Sequence, residues 1–368
     1  MKPNKNIQNF PIFIDGKFYE NNTDIFPSLN PHNEEIWATF SVAGKSEVDL
    51  AIAAARRCLN EGEWPKMLAS DRGKLLLKLA DLIELHANEI GKIETNDSGK
   101  LLAETATQTQ YVAEYYRYFA GLADKIQGST LPIDKPDMHV FTSCEPIGVV
   151  AAVVPWNAQM FLTATKLAPA LAAGCTIIIK ASEIAPCSLL YFARLIKEAG
   201  IPDGVVSVIT GDEKNCAIPL TTHHDIDRIA FTGGPKVAKQ IVINSSENFA
   251  VTTLELGGKS PIVVFEDADI EGAVNGIIAG NYGASGQSCV AGTRVIVHDS
   301  IKKELIEMLS KRAESIVTGD PKNNDTHVGP LCTNKQIKLI EKTLKKAQSQ
   351  GAKIVFGGSR LNQKGYYF

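Results

Sequence analysis

Ile147-Gly148-Val149-Val150-Ala151-Ala152-Val153-Val154-Pro155-Trp156-Asn157 is the stretch from which the fold can be read. Residues 149–154 form a short apolar run rich in β-branched valine, with glycine before it and proline after it. That is the pattern of a strand buried on both faces, as in a parallel sheet. Downstream, residues 159–173 read as a helix, 176–180 as a strand, 186–199 as a helix and 205–209 as a third strand. Residues 228–231 give a fourth strand. Pro235 opens another helix, since proline is tolerated in a first turn, and 251–255 close the set. Such alternation implies βαβ units and a parallel sheet with helices on both faces.

Upstream of this set, residues 10–45 read as short extended pieces, with Asp15-Gly16 turning a hairpin between Phe13 and Phe18. Ser46 is expected to cap a first helix carrying Val48, Ile52 and Ala55. A second helix follows Ser70-Asp71 and presents Leu75, Leu76, Leu79, Leu82, Ile83 and Ile90 on one face. A third covers 101–123. Between 125 and 145 the composition shifts, with Gly128, Pro132 and Pro136 interrupting short apolar runs. After Gly257 a second α/β set follows. Its strands are 262–265, 294–297 and 353–356, and its helices are 269–282, 302–316 and 335–350.

The chain has 368 residues, enough for two domains. A net charge of −3 gives no electrostatic case for nucleic acid or an anionic membrane. The longest apolar stretch, 147–156, is too short to span a bilayer. Residues 1–9 are polar, so no secretory signal is expected. Seven cysteines form no Cys-x-x-Cys pair and are not clustered with histidine. Neither a disulfide framework nor a metal site is expected, and a reducing, cytoplasmic setting follows.

Three stretches carry chemistry. Gly286-Gln287-Ser288-Cys289-Val290-Ala291-Gly292 crowds small residues around one thiol, as a nucleophilic sulfur requires if a carbonyl and the backbone are both to approach it. Glu255-Leu256-Gly257-Gly258 sets a carboxylate before a glycine pair, 289 − 255 = 34 residues upstream of the thiol. Pro155-Trp156-Asn157 ends the first strand. In this order and spacing the three resemble the aldehyde dehydrogenase superfamily, from about residue 10 to the last.

The resemblance implies a Rossmann-like, parallel-sheet cofactor domain (1–124 and 146–256), a second α/β catalytic domain (257–368) and a small oligomerisation arm (125–145). It implies oxidation of an aldehyde to a carboxylic acid with NAD, or with NADP. Cys289 is then the nucleophile, Asn157 and the Cys289 N–H the oxyanion donors, and Glu255 the base that hydrolyses a thioester. Cofactor contacts are expected at Val153, Val154, Pro155, Trp156, Lys180, Ser182, Glu183, Gly211, Thr232, Gly233, Gly234, Leu256 and Gly257. Glu183 can accept from a ribose 2′-hydroxyl and repel a 2′-phosphate, which favours NAD. The sequence departs from the family where Gly234 replaces a usual serine and Ala238 a nearby glycine. The fingerprint Gly-x-Gly-x-x-Gly is absent.

Tyr111, Tyr115, Tyr116, Met160 and Phe161 are candidates for the aldehyde tunnel. A homodimer or homotetramer and a small aldehyde are the expected partners. Two other readings stand beside this one. An acylating, coenzyme A-dependent relative generally lacks a glutamate at the Glu255 position. An inactive fragment that binds a partner is the other. Family members run on past the position of Phe368. They add a Glu-x-Phe-Gly-Pro segment, whose glutamate holds the nicotinamide ribose, and a later strand that completes the oligomer. A chain ending at Phe368 is therefore expected to expose apolar faces, dissolve poorly and turn over little.

Overall fold

A computed structural model describes residues 7–20 and 25–368. Residues 1–6, which hold most of the polar N-terminus, and 21–24 lie outside the described residues.

The chain opens with strands β1 (Gln8–Phe10), β2 (Ile12–Ile14), β3 (Lys17–Tyr19), β4 (Ile25–Asn30) and β5 (Glu35–Ser41). β2 and β3 form the expected hairpin, with Ile14 paired to Lys17. Asp15 and Gly16 both have positive φ, 50° and 72°, which matches the right-handed twist of the flanking strands. β1, β5 and β4 make a separate three-stranded sheet.

Helices α1 (Lys45–Glu61), α2 (Ala69–Leu85), α3 (Ala87–Ser98) and α4 (Leu102–Leu122) follow. Gly44, not Ser46, caps α1. Its N–H donates to Glu47 Oε2 at 2.8 Å, and a carboxylate in the first turn also suits the helix dipole. The second expected helix is divided at His86, whose Nδ1 lies 2.9 Å from the Tyr191 hydroxyl. Ile90 therefore belongs to α3, where it is fully buried. Between α4 and the main sheet, β6 (Thr130–Leu131) and β7 (Val140–Phe141) pair as an exposed two-stranded ribbon.

The centre is β8 (Val149–Val153), α5 (Gln159–Ala173), β9 (Thr176–Ala181), α6 (Cys187–Ala199), β10 (Val206–Thr210), α7 (Ile218–Thr222), β11 (Arg228–Gly233), α8 (Pro235–Asn244) and β12 (Val251–Leu256). The sheet runs β12-β11-β8-β9-β10-β2-β3, and the first five strands are parallel. β8, β9 and β10 are buried at every position, and β8 is apolar throughout, as a strand covered on both faces requires. From β8 the chain builds outward through β9 to β10, then returns to lay β11 on the other side of β8. That reversal is a topological switch point, where side chains at the carboxyl ends of β8 and β11 border an open crevice.

The remainder comprises β13 (Pro261–Val264), α9 (Ile270–Tyr282), β14 (Arg294–Val297), α10 (Lys302–Glu314) and α11 (Asn334–Ser349). β13 and β14 pair in parallel over a small core of Val274, Ile277 and Leu305. A third core gathers Leu331, Ile337 and Tyr366. The strand expected at 353–356 does not form. Ile354, Val355 and Phe356 are exposed, and no described strand pairs with them, so β-propensity alone leaves the segment irregular.

Candidate active site

The carboxyl ends of the parallel strands converge on one crevice. Pro155, Trp156 and Asn157 leave β8, Thr232 and Gly233 end β11, Gly234 caps α8, and Glu255 and Leu256 end β12. Register places Thr232 opposite Glu255 and Gly233 opposite Leu256.

The thiol arrives from the other side of the crevice, on the loop between α9 and β14. Asn281, in the last turn of α9, donates through Nδ2 to the Gly292 carbonyl at 2.9 Å, tying the loop's exit to the helix that leads into it. A Cβ on Gly292 would come within 2.4 Å of Ile262 Cδ1, so glycine lets the loop pass close over the Ile262 side chain of β13. Cys289 is exposed and unbonded to another cysteine. Two residues before it, the Gln287 carbonyl accepts from Asn157 Nδ2 at 2.9 Å. Gln287 Oε1 accepts from the Cys332 N–H at 3.0 Å. An amide nitrogen carries two hydrogens, so this bond fixes Asn157 and leaves its second N–H for another acceptor.

Lys166 is a site residue that the sequence reading passed over. It is the only charged side chain of α5, and that isolation within an apolar helix was the available signal. It is buried, and Nζ donates to Thr232 Oγ1 at 2.6 Å. Burial pushes its pKa down to about 8, while the nearby Glu255 carboxylate acts in the opposite direction.

Two cavities meet at this point. One, of about 640 Å³, is mostly apolar and includes Tyr115, Phe161, Leu162 and Val290 in its lining. The other, of about 530 Å³, follows the crevice past Pro155, Trp156, Asn157, Gly233, Gly234 and Gly257. Thr232, Glu255, Leu256 and Cys289 line both. Of the tunnel candidates, Tyr115 and Phe161 line the apolar cavity. Tyr116 and Met160 are buried in the main core, and Tyr111 points out to solvent. Gln336 and Leu339 of α11 complete the second cavity, a contribution from about 180 residues beyond Asn157 that no local pattern announces.

The remaining expected cofactor residues lie along the same sheet edge, outside the lining of the second cavity. Val153 ends β8, and the Val154 N–H donates to the Lys180 carbonyl at 3.0 Å. Lys180 Nζ, itself buried, donates to Glu183 Oε2 at 2.9 Å, and the Glu183 side chain is 51% exposed. Ser182 accepts the Ile184 N–H, and Gly211 follows β10. A Cβ on Gly234 would meet nothing within 4 Å, so the backbone at the start of α8 is open on that side.

Among the described residues, His223, His224 and Asp225 offer three ligand atoms within 4.8 Å of one another. They precede β11, at the opposite end of the strand from the crevice, and Asp225 faces Arg56 at 3.7 Å. No described helix is long and apolar enough to cross a membrane.

The family model described as the aldehyde dehydrogenase family matches residues 18–368. A curated relative from Acinetobacter baylyi, (Z)-2-((N-methylformamido)methylene)-5-hydroxybutyrolactone dehydrogenase, is 51% identical over 98% of this chain and 74% of its own length. Aldehyde dehydrogenase 1 from Tanacetum cinerariifolium is 40% identical over 97% of this chain and 72% of its own length. A solved aldehyde dehydrogenase from Bacillus cereus, described as an NAD⁺ complex, superposes with a TM-score of 0.95 at 38% identity. The match covers 98% of this chain and 74% of that one. By both sequence and architecture, the chain belongs to the aldehyde dehydrogenase family.

Proposed function

We propose that the protein oxidises an aldehyde to a carboxylic acid with NAD, using Cys289 as nucleophile and Glu255 as the hydrolytic base. The observation that carries this reading is the sharing of Cys289, Glu255 and Thr232 by two cavities of different character. The apolar cavity suits an aliphatic or aromatic aldehyde without phosphate. The crevice at the switch point suits a dinucleotide, with Lys180 and Glu183 at the adenosine ribose and the open α8 N-terminus at the pyrophosphate. The exposed Glu183 carboxylate favours NAD over NADP. The Lys180–Glu183 pair offers a donor and an acceptor for a ribose, and nothing lies within 4 Å of a Cβ placed on Gly234, which leaves the α8 N-terminus approachable.

In this mechanism the Cys289 thiolate adds to the aldehyde carbon. A C–S bond forms and the carbonyl π pair moves to oxygen. The oxyanion draws on the second Asn157 N–H and the Cys289 backbone N–H, donors that need no reorganisation. Bound NAD supplies the hydride acceptor. Collapse of the oxyanion leaves a thioester on Cys289. Glu255 then takes a proton from water, which adds to the thioester. The C–S bond breaks, the acid departs and the thiolate returns. The presence of Glu255 argues against transfer to coenzyme A.

Residues 1–124 with 146–256 form the cofactor domain and 257–368 the catalytic domain. Residues 125–145 serve as an arm in a homodimer or homotetramer, and the exposure of Leu131, Met138 and Phe141 on the ribbon supports that role. Seven free cysteines suit a cytoplasmic setting. The direct test is intact-mass and peptide analysis after mixing enzyme, NAD and aldehyde. An acyl adduct mapped to Cys289 is expected, and an adduct elsewhere removes Cys289 from the mechanism.

A further inference from the structure

The loop that carries Cys289 begins with a run of left-handed backbone. Ala284 (φ 52°, ψ 35°) and Ser285 (φ 53°, ψ 37°) are followed by Gly286 at φ 69°. Glycine adopts this conformation freely, but alanine and serine bring Cβ too close to the next carbonyl. The other non-glycine residues with positive φ among those described are Asp15, Glu34 and Phe249, and none is adjacent to another. Two in succession persist only where the surroundings over-determine them, and such places cluster at functional sites.

One determinant comes from far along the chain. Glu104, in the first turn of α4, accepts the Ala284 N–H through Oε1 at 3.1 Å, across 180 residues of sequence. Within the turn the Gln287 N–H closes back on the Ala284 carbonyl at 3.1 Å. The turn is not arranged for its own satisfaction. Glu104 Oε2, Ser285 Oγ and Gln287 Nε2 are all buried without a partner among the described residues. What the turn does accomplish is orientation. Its last residue leads directly into Gln287, whose carbonyl holds the Asn157 amide, and Cys289 follows two residues later.

We infer that Glu104 is a positioning residue for the nucleophile. Its carboxylate holds Ala284 and Ser285 left-handed, and the turn in that shape sets both the Gln287 carbonyl and the Cys289 thiol. Without the carboxylate, the turn relaxes towards right-handed or extended backbone, and the thiol and the Asn157 amide lose their common frame. This inference rests on the reading of Cys289 as nucleophile.

The experiment compares Glu104→Ala, Glu104→Gln and the double variant Glu104→Ala/Ala284→Gly. The readouts are kcat, KM for NAD, melting temperature and the rate of iodoacetamide alkylation mapped to Cys289. Glu104→Ala should lower kcat about 10- to 100-fold, the scale of a roughly ångström misplacement, with KM for NAD within about twofold. It should also change the alkylation rate. Glu104→Gln keeps an acceptor oxygen and should retain most of the activity. Ala284→Gly removes the conformational cost and should restore most of what Glu104→Ala loses. If Glu104→Ala does not fold, Glu104→Asp decides with the same readouts, because its carboxylate is one methylene short. Unchanged kcat and alkylation in Glu104→Ala overturn the inference. So does a loss that Ala284→Gly does not repair and that follows the melting temperature. An active Cys289→Ala overturns the underlying reading instead. An inactive Cys289→Ala beside a fully active Glu104→Ala overturns this inference alone.

Discussion

Asn157 Nδ2 donates to the backbone carbonyl of Gln287 at 2.9 Å, joining the end of the central strand to the loop that bears the thiol. The bond spans 130 residues and uses one of two amide hydrogens. It therefore fixes the direction of the other. If that second N–H meets the oxyanion, Asn157→Ala should lower kcat by about 10²–10³-fold, the usual loss for one preorganised donor. Asn157→Asp should be no better, since it replaces the donor by a charge of the wrong sign. Steady-state kinetics with saturating NAD check this, and an Asn157→Ala enzyme within a few-fold of the parent sinks the oxyanion role.

Cys289 and Glu255 divide the two half-reactions. Cys289→Ala should give no NADH. Glu255→Gln keeps the shape and loses the base, so turnover should fall about 10²–10⁴-fold. A pre-steady-state burst of NADH should survive in Glu255→Gln, with acylated Cys289 accumulating. If Glu255 also deprotonates the thiol, the burst itself slows. Near-normal turnover in Glu255→Gln removes it from the mechanism.

Glu183 carries its charge at the carboxyl end of β9, 2.9 Å from Lys180 Nζ and half in solvent. A 2′-phosphate a few ångström away is disfavoured by about 1 kcal/mol or more. The enzyme should prefer NAD by kcat/KM, and Glu183→Gln should narrow the preference by about 5-fold or more. Equal use of NADP by the unaltered enzyme contradicts the assignment.

The central sheet was legible because its evidence is local. A short, valine-rich run such as 149–154, held between Gly148 and Pro155, marks a strand covered on both faces. The breaks between runs were legible for the same reason, as with Pro235 at the first turn of α8. What escaped depends on partners distant in sequence. The division at His86 coincides with a contact to Tyr191, and an isolated periodicity cannot contain it. Residues 353–356 have strand composition, but a strand is made by a neighbour, and no described strand supplies one. In the site, Cys289, Glu255 and Asn157 stood out by motif, whereas Gln336 and Glu104 enter only through packing.

Lys166 makes the stability of the fold depend on pH. Its ammonium is buried against Thr232, and burial holds its pKa at about 8, below the roughly 10.4 of an unfolded lysine. Below pH 8 both states carry the proton, and the folded state bears the full cost of burying the charge. Between about pH 8 and 10.4 the unfolded chain binds more protons than the folded one, so stability rises with pH. Above that window the lysine is neutral in both states and the cost has gone. At about 1.4 kcal/mol per unit, the penalty near pH 7 is on the order of 3 kcal/mol. Lys166→Met keeps the length and removes the charge. It should therefore melt at a higher temperature than the parent at pH 7. The difference should shrink steadily from pH 8 to 10. Melting curves of both proteins across that range supply the test. A variant no more stable than the parent at pH 7, or a difference that does not change with pH, shows that the Lys166 ammonium is better compensated than its burial implies.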